Sequence, residues 1–290
     1  AIAMMTCARW GGMLTIRLRV TAMATTADGT AYDLFGPQHA PAVVLIHGLG
    51  MTRATWDDIV PVLARNFRVV TYDLSGHGDS RLPSTTPSLT VLSEQLKTLL
   101  ETLSIPQAAL VGFSLGGMIN RRFAIDYRDI VTALIVLNSP HERDPAAQRL
   151  VEERAAQTSA GGAQATIDTT LERWFTSEFR KKSAETVAKI RRWVLTNDSE
   201  NYTQNRQVLA AGVVELIRPD PPLTAPCLVV TCEHDSGSTP QMSQEIAAEI
   251  AGSEILIIPE LQHLGLIEQP ALFSAAINDF LTHTLQPSGQ

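Results

Sequence analysis

A short stretch flanked by glycines places one serine where its hydroxyl could act as a nucleophile. It reads Gly112-Phe113-Ser114-Leu115-Gly116 and lies between an apolar segment and a segment with helical periodicity. A serine on a sharp turn between a strand and a helix holds its hydroxyl clear of the sheet, and glycines two positions away let both elements approach closely. The pattern predicts that Ser114 attacks a carbonyl carbon. The alternative is a glycine turn in which Ser114 only caps the helix.

This chemistry also requires a base, and a carboxylate to orient it, because a serine hydroxyl is a weak nucleophile at neutral pH. His263 is the candidate base, since it follows the last apolar segment and lies on a loop that can reach back to Ser114. Asp235 follows the preceding apolar segment and is the candidate acid. The order serine, acid, histidine along the chain is compatible with this arrangement. We predict a catalytic triad of Ser114, Asp235 and His263.

Two alternative positions for the acid lie near these elements. Glu233 is two residues before Asp235 in the same segment. A carboxylate after residues 133–137 could also reach the base, but the chain continues as Asn138-Ser139-Pro140 and its first carboxylate is Glu142. This spacing favours Asp235. Three further histidines occur in polar or terminal segments and are not predicted to take part: His39, His141 and His283.

The oxyanion formed by serine attack needs two N–H donors. One is expected to be the amide of Leu115, directly after the nucleophile. The other is expected at Leu49 in the stretch His47-Gly48-Leu49-Gly50, whose glycines let the backbone turn its amides inward. His47 stands at the end of a predicted strand and is expected to make a structural hydrogen bond.

A second glycine-rich stretch, residues 76–80, has a spacing similar to that of phosphate-binding loops. It lacks the Lys-Ser/Thr pair and the following helix that such loops require. We therefore interpret it as a structural turn, and we do not expect Asp73, His77 or Asp79 to take part in catalysis.

The elements that position these residues follow from the pattern of apolar side chains. Segments rich in Val, Ile and Leu without alternation predict buried strands at residues 42–46, 67–72, 108–113, 133–137, 227–231 and 255–258. Helical spacing of apolar residues predicts helices at residues 56–65, 88–103, 115–127, 240–251 and 271–284. This alternation predicts a mostly parallel sheet, with residues 15–20 and 30–35 adding an antiparallel edge.

One interval lacks any convincing strand. Residues 141–222 are rich in Ala, Glu, Arg, Gln and Thr and are predicted to form a helical lid over the carboxyl ends of the strands. The core is then expected at residues 15–140 and 223–285, between an N-terminal extension (1–14, derived in part from cloning) and a tail (286–290). Aromatic and methionine side chains are predicted to line an apolar pocket: Met51, Met118, Trp174, Phe175 and Trp193.

Composition and charge argue against several classes of function. The net charge of −7 and the lack of a basic cluster disfavour a nucleic-acid partner. No segment approaches the ~20 apolar residues of a membrane helix, and no signal peptide is predicted. Cys7, Cys227 and Cys232 show no metal-ligand spacing and fit a reducing cytoplasm, where we expect the protein to act on a small molecule. We expect no metal or organic cofactor.

Taken together, these motifs resemble those of the α/β-hydrolase superfamily. The resemblance covers residues 30–285, roughly, and rests on His47-Gly48-Leu49-Gly50, the stretch from Asp73 to Ser80, the turn around Ser114, and His263 with Glu268-Gln269-Pro270. It implies an α/β fold with a mostly parallel sheet flanked by helices and a helical lid inserted after the sixth strand.

Within the superfamily, the chain is most similar to the 3-oxoadipate enol-lactonase group. The similarity lies in Arg173-Trp174-Phe175-Thr176 with residues 196–202, and in the stretch from Glu233 to Pro240. Cys232 departs from the group, because a glycine is usual there. Since an enol-lactone carries a carboxylate, three arginines are candidate substrate ligands, with surface or interface roles as the alternative: Arg53, Arg121 and Arg122.

The function that follows is hydrolysis of a carboxylic ester or lactone through an acyl-enzyme on Ser114. The same triad also supports hydrolysis of carbon–carbon bonds, perhydrolysis and cleavage of cyanohydrins, which remain alternatives. A non-catalytic ligand receptor on the same fold is a further alternative from another class.

Overall fold

The computed structural model describes residues 19–285, with side chains from residue 24 onward. The predicted N-terminal extension, the C-terminal tail and Cys7 lie outside the described residues.

Within the described residues, eight strands form a single sheet. They are β1 (Arg19–Thr25), β2 (Ala31–Phe35), β3 (Ala42–Ile46), β4 (Arg68–Tyr72), β5 (Ala108–Phe113), β6 (Val131–Leu137), β7 (Cys227–Cys232) and β8 (Glu254–Ile258). Their order in the sheet is β1-β2-β4-β3-β5-β6-β7-β8. The pairs β1–β2 and β2–β4 are antiparallel, and all other pairs are parallel. The predicted antiparallel edge is therefore present, although its first strand reaches Thr25 rather than residue 20.

Helices follow most of the strands. They are α1 (Val60–Leu63), α2 (Leu89–Thr102), α3 (Leu115–Asp126), α4 (Pro145–Gly161), α5 (Ile167–Trp174), α6 (Ser177–Lys182), α7 (Ala184–Leu195), α8 (Ser199–Ala211), α9 (Pro240–Ala248), α10 (Gly265–Glu268) and α11 (Pro270–Leu285). The predicted helix over residues 56–65 is longer than the observed one. A 3-10 turn at Arg53–Trp56 comes first, and α1 begins at Val60, with Pro61 in the first turn, where proline is well tolerated.

The core lies on both faces of the central strands. Every residue of β5 is buried, as expected for a parallel strand covered on both faces. Cys227 and Cys232 are buried. The prediction that the last strand is buried was wrong in part, because β8 is the outermost strand and pairs only with β7. Its Ile255 and Leu256 are 43% and 37% exposed.

The interval between β6 and β7 is helical, as predicted, and contains α4 to α8. Hydrogen bonds connect these helices to the segments that follow β3 and β8. Asn197 Nδ2 donates to the carbonyl of Gly50 (3.3 Å), and Leu264 N donates to the carbonyl of Trp174 (2.8 Å). Thr176 donates to Glu268 through its amide (2.8 Å) and its hydroxyl (2.6 Å). The helices between β6 and β7 are thus held against the loops that carry the candidate residues.

Candidate active site

Ser114 sits at the junction of β5 and α3 in a strained backbone conformation, with φ of 54° and ψ of −113°. The turn is possible because its glycines lack side chains. A Cβ on Gly112 would lie 2.2 Å from the carbonyl oxygen of Gly116, and one on Gly116 would lie 2.2 Å from that of Ile46. The side chain of Ser114 makes no capping hydrogen bond to α3, which argues against the helix-cap alternative. Its hydroxyl is directed elsewhere.

The three residues of the predicted triad are in contact. Ser114 Oγ lies 3.1 Å from Nε2 of His263, and Nδ1 of His263 lies 2.7 Å from Oδ2 of Asp235. Asp235 follows β7 and His263 follows β8, so the parallel strands bring all three to one edge of the sheet. Glu233, the alternative acid, instead accepts a hydrogen bond from the amide of Glu260 at 3.0 Å.

The carboxylate of Asp235 is buried but fully hydrogen-bonded. Its Oδ1 accepts from the amides of Gly237 and Ser238, both at 2.9 Å, and its Oδ2 also accepts from Asn138 Nδ2 at 2.8 Å. Burial acts to raise the pKa of Asp235, but His263, Asn138 and the amide of Ser238 outweigh it and lower that pKa. An ionised Asp235 only accepts hydrogen bonds. Nδ1 of His263 therefore carries the proton, and Nε2 is free to receive the proton of Ser114.

The imidazole of His263 is also held by aromatic rings. Its centroid lies 5.0 Å from that of Phe113 on β5 and 6.1 Å from that of Trp174 at the end of α5. These contacts leave the histidine 9% exposed. The imidazole of His263 is thus held between a ring on β5 and a ring on α5.

The expected oxyanion donors lie on either side of the serine. Leu115 is the first residue of α3, and Leu49 lines the same cavity as Ser114. A Cβ on Gly48 would lie 3.2 Å from Cβ of Ser114, so the loop after β3 passes directly beside Ser114. Among the described residues, neither amide has an acceptor in a turn or loop.

His47 makes the structural hydrogen bonds that its position predicted. Its Nδ1 donates to the carbonyl of Gly48 at 2.8 Å, and its Nε2 accepts from the amide of Leu74 at 3.0 Å. Burial lowers the pKa of His47 to about 4, so the ring is neutral at pH 7. His47 therefore ties the loop after β3 to the loop after β4.

Two of the five residues predicted to line an apolar pocket lie on the cavity that contains Ser114. Met51 and Trp174 line the cavity above Ser114. Phe175 is fully buried and stacks on Phe179 at 5.2 Å, and Trp193 lies under Lys189 at 5.0 Å. Met118 is fully buried in α3, where its Cε is 3.3 Å from the Cβ position of Gly212. These last three side chains pack within and between helices and do not line the cavity.

The three arginines considered as substrate ligands also lie elsewhere. Arg53 pairs with three aspartates: Asp33 (2.9 Å), Asp79 (2.9 Å) and Asp73. Arg121 is buried and donates to the carbonyls of Gly117 (3.0 Å) and Pro140 (2.6 Å) and to Ser139 Oγ (3.2 Å). Arg122 pairs with Asp126 (2.8 Å) and Glu215 (3.1 Å). All three have structural partners, and none lines the cavity.

Four other arginines line the cavity instead, together with Ser114 and His263: Arg143, Arg154, Arg173 and Arg206. Sequence analysis missed them as a group, because each is on a different element. Only Arg173 belongs to a stretch that carried the resemblance. Since their convergence depends on how α4, α5 and α8 pack, no spacing along the chain could have indicated it.

Residues 19–285 contain no helix that is both long enough and apolar enough to cross a membrane. The same part of the chain contains no group of three or more His, Cys, Asp or Glu side chains that could hold a metal ion.

Comparisons with known proteins agree with this architecture. The family model described as the alpha/beta hydrolase family matches residues 43–276. In Acinetobacter baylyi, 3-oxoadipate enol-lactonase 2 is 28% identical over 248 residues, covering 85% of this chain and 90% of that enzyme. From the same organism, (E)-2-((N-methylformamido)methylene)succinate hydrolase is 27% identical over 245 residues, covering 83% and 90%. The crystal structure of the enol-lactonase from Burkholderia xenovorans LB400 matches with a TM-score of 0.82 at 30% identity, covering 90% of this chain and 100% of that one. The expected resemblance and the expected fold are both confirmed.

Proposed function

Because the chain belongs to the alpha/beta hydrolase family, we propose that it hydrolyses a carboxylic ester or lactone through an acyl-enzyme on Ser114. The observation that carries the proposal is the continuous chain of contacts from Ser114 Oγ through His263 to Asp235, which opens into one cavity. This is the arrangement that activates a serine: a nucleophile, a base within hydrogen-bond distance, and a carboxylate that orients the base.

The first half of the reaction forms the acyl-enzyme. His263 Nε2 takes the proton of Ser114 as Oγ attacks the carbonyl carbon, and Asp235 stabilises the imidazolium that results. The amides of Leu49 and Leu115 hold the oxyanion. His263 then gives its proton to the leaving alkoxide or enolate, and the carbon–oxygen bond breaks. With a lactone the leaving group stays attached to the acyl part.

The second half releases the acid. His263 takes a proton from a water molecule, and the resulting hydroxide attacks the acyl carbon. The tetrahedral intermediate collapses, and Ser114 recovers its proton from His263. Each proton removed by His263 is returned, so the residues named balance the reaction without a further acid or base.

Residues 141–222 act in this proposal as a lid over the core formed by residues 15–140 and 223–285. Supporting observations are the hydrogen bonds of Asn197 and Trp174 to the loops after β3 and β8. Trp174 also lies on the cavity beside the imidazole. A cover at this place keeps bulk water from the oxyanion, where hydrogen bonds are strongest in a dry environment.

The names of the similar proteins favour an ester-like substrate over the other reactions that this triad supports. Enol-lactonases occur both among the relatives and among the solved structures. One relative is named for hydrolysis of a formamido compound, so cleavage of an amide bond belongs in the same set of tests.

The decisive experiment compares steady-state hydrolysis of p-nitrophenyl acetate by the wild type and by Ser114→Ala. We expect turnover in the wild type and a loss of kcat of about 10⁴-fold or more in the variant. Ser177→Ala, at the exposed start of α6, is the matched control and should retain full activity. Equal rates in the wild type and Ser114→Ala would exclude Ser114 as nucleophile. No turnover in either, together with stoichiometric binding of an ester, would support a receptor.

A further inference from the structure

Four arginines, here called the arginine wall, face the same cavity as Ser114: Arg143, Arg154, Arg173 and Arg206. They come from separate elements, namely the loop after β6, α4, the last turn of α5, and α8. Four cations gathered in one cavity are unexpected in a chain whose net charge is −7. The cavity therefore differs in charge from the protein as a whole.

The arginine wall lacks ion pairs with the described residues. Within residues 24–285, the arginines that lie within 4.0 Å of a carboxylate are five others: Arg53, Arg122, Arg180, Arg191 and Arg218. Among the described residues that line the cavity, Asp235 is the only carboxylate, and it is already bonded to His263. The protein thus supplies no described counter-charge of its own for the arginine wall.

Neutral groups position parts of the arginine wall without cancelling its charge. Arg143 donates to Gln148 Oε1 (3.3 Å) and to the carbonyls of Ala210 (3.3 Å) and Leu209 (3.5 Å), all long hydrogen bonds. Its Nε is buried and has no described acceptor. Arg173 donates to Thr170 Oγ1 at 3.4 Å. Donor capacity therefore remains on both guanidinium groups.

Arg173 remains positively charged near neutral pH despite its burial. Burial lowers the pKa of Arg173 to about 10, with further lowering from the charges of Arg154 and Arg206. Even so, that pKa lies well above 7. The charge of Asp235 acts in the opposite direction on the pKa of Arg173. Like charges held together in a partly buried site favour the binding of an anion.

We propose that the substrate of Ser114 carries two carboxylates, which the arginine wall binds while the scissile carbonyl lies at Ser114. This inference rests on the proposed function. A guanidinium group binds a carboxylate through two parallel hydrogen bonds, so one carboxylate engages one or two arginines. A single carboxylate would leave half of the wall without a counter-charge. Two carboxylates separated by a few atoms fit cations that come from four different elements.

Binding can be measured without turnover by using Ser114→Ala. The probes are glutarate, with two carboxylates, butyrate, with one, and inorganic phosphate. We expect calorimetry to show glutarate binding at least about tenfold tighter than butyrate, as is typical when one partner of a charge pair is removed. Equal affinity for glutarate and butyrate would overturn the requirement for two carboxylates. Phosphate binding tighter than glutarate would assign the site to a phosphate group instead.

The residues are tested by Arg173→Gln and Arg206→Gln in the Ser114→Ala background. We expect each to weaken glutarate binding at least about tenfold. Arg173→Lys should recover part of the affinity, because lysine keeps the positive charge but lacks the two parallel N–H donors of a guanidinium group. Arg149→Gln is the matched control. Arg149 is an exposed residue of α4, so the change in net charge is the same at a position outside the cavity. Equal weakening by Arg149→Gln would show a general charge effect and overturn the assignment.

Kinetics with the active enzyme keep this inference separate from the proposed function. The ratio of kcat/KM for mono-p-nitrophenyl glutarate to that for p-nitrophenyl butyrate should exceed one and should fall in Arg173→Gln. Where Arg173→Gln does not fold, as judged by circular dichroism, the half-exposed Arg154→Gln serves in its place. A ratio of one, with hydrolysis still dependent on Ser114, overturns the arginine wall as a substrate site and leaves the proposed function intact. If hydrolysis no longer depends on Ser114 but glutarate still binds, the proposed function is overturned and the arginine wall remains a binding site for dicarboxylates.

Discussion

Asn138 Nδ2 donates a 2.8 Å hydrogen bond to Oδ2 of Asp235, the same oxygen that accepts from Nδ1 of His263. Asn138 stands directly after β6, which lies in the sheet between β5 and β7. Its φ of 45° is a left-handed conformation that asparagine adopts more readily than most residues. Because the amide stabilises the ionised carboxylate, Asn138 is a positioning residue for the acid of the proposed triad.

Asn138→Gly removes this donor without straining the backbone, since glycine accepts a positive φ. The pKa of Asp235 should rise, because a hydrogen bond to its charged form is lost. We expect kcat/KM for p-nitrophenyl acetate to fall about tenfold, as hydrogen bonds to charged groups are worth roughly 1.5–3 kcal/mol. The acid limb of the pH–rate profile should move to higher pH.

The pH–rate profile distinguishes this role from a purely structural one. Asn138→Asp places a second carboxyl group beside Asp235 and should move the acid limb further than Asn138→Gly does. A lower rate in Asn138→Gly with an acid limb like that of the wild type would mean that Asn138 only supports the loop.

Asp235→Asn should lower kcat by about 10⁴-fold while leaving the fold intact. The amide can donate to Nδ1 of His263, which moves the imidazole proton to Nε2 and removes the acceptor that Ser114 needs. Adding Ser114→Ala should cause little further loss, because the residues act as a unit. Glu233→Gln is the matched control and should change kcat by no more than about twofold, since it alters an exposed carboxylate. Equal losses in Asp235→Asn and Glu233→Gln would contradict the assignment of the acid.

Arg53→Gln should lower stability rather than substrate affinity. It would leave Asp73, which is fully buried, without its cation, and breaking a buried pair from one side costs roughly 3–5 kcal/mol of the free energy of unfolding. Arg122→Gln removes a more exposed arginine from its pairs and should cost at most about 1 kcal/mol. Urea denaturation of both variants makes the comparison. A raised KM in Arg53→Gln at unchanged stability would return Arg53 to the list of substrate ligands.

The candidate triad was predictable because strand ends are visible in the sequence. Ser114, Asp235 and His263 each follow an apolar segment, and the carboxyl ends of parallel strands meet at one edge of the sheet. The contacts of His47 followed from its place at such a strand end as well. The sequence shows Asn138 only as a position without a carboxylate, because the role of an amide there depends on the distance between β6 and the loop after β7.

The lining of the cavity was less predictable, because it is set by how the helices between β6 and β7 rotate against one another. Phe175 and Trp193 are aromatic, as pocket residues often are, but they pack among the helices. Arg173 and Arg206 line the cavity instead. Apolar periodicity shows which face of a helix is buried without showing whether that face meets the core or a ligand. The role of Arg53 is hidden for a similar reason, since its aspartate partners come from β2 and from the loop after β4, which are distant from Arg53 in sequence.

Two buried histidines predict that the protein loses stability in mild acid. Burial lowers the pKa of His47 to about 4 and that of His77 to about 3, with the charge of His47 adding to the second shift. An unfolded chain binds protons at histidine near pH 6.5, whereas the native state excludes them until a much lower pH. The free energy of unfolding should therefore fall as pH decreases from about 6.5 to about 4, by at most roughly 1.4 kcal/mol per pH unit for each histidine.

His77→Phe isolates one of these contributions. Nε2 of His77 is buried without a described partner, and Nδ1 makes only a 3.3 Å contact with the carbonyl of Ser75. Replacing the imidazole by a phenyl ring therefore removes little hydrogen bonding from the native state. Urea denaturation at several pH values should show a shallower loss of stability in His77→Phe than in the wild type between pH 6.5 and 4, roughly. The exposed His39→Gln is the control and should follow the wild type. Parallel curves for His77→Phe and the wild type would mean that His77 becomes protonated in the native state, and that its burial does not control acid sensitivity.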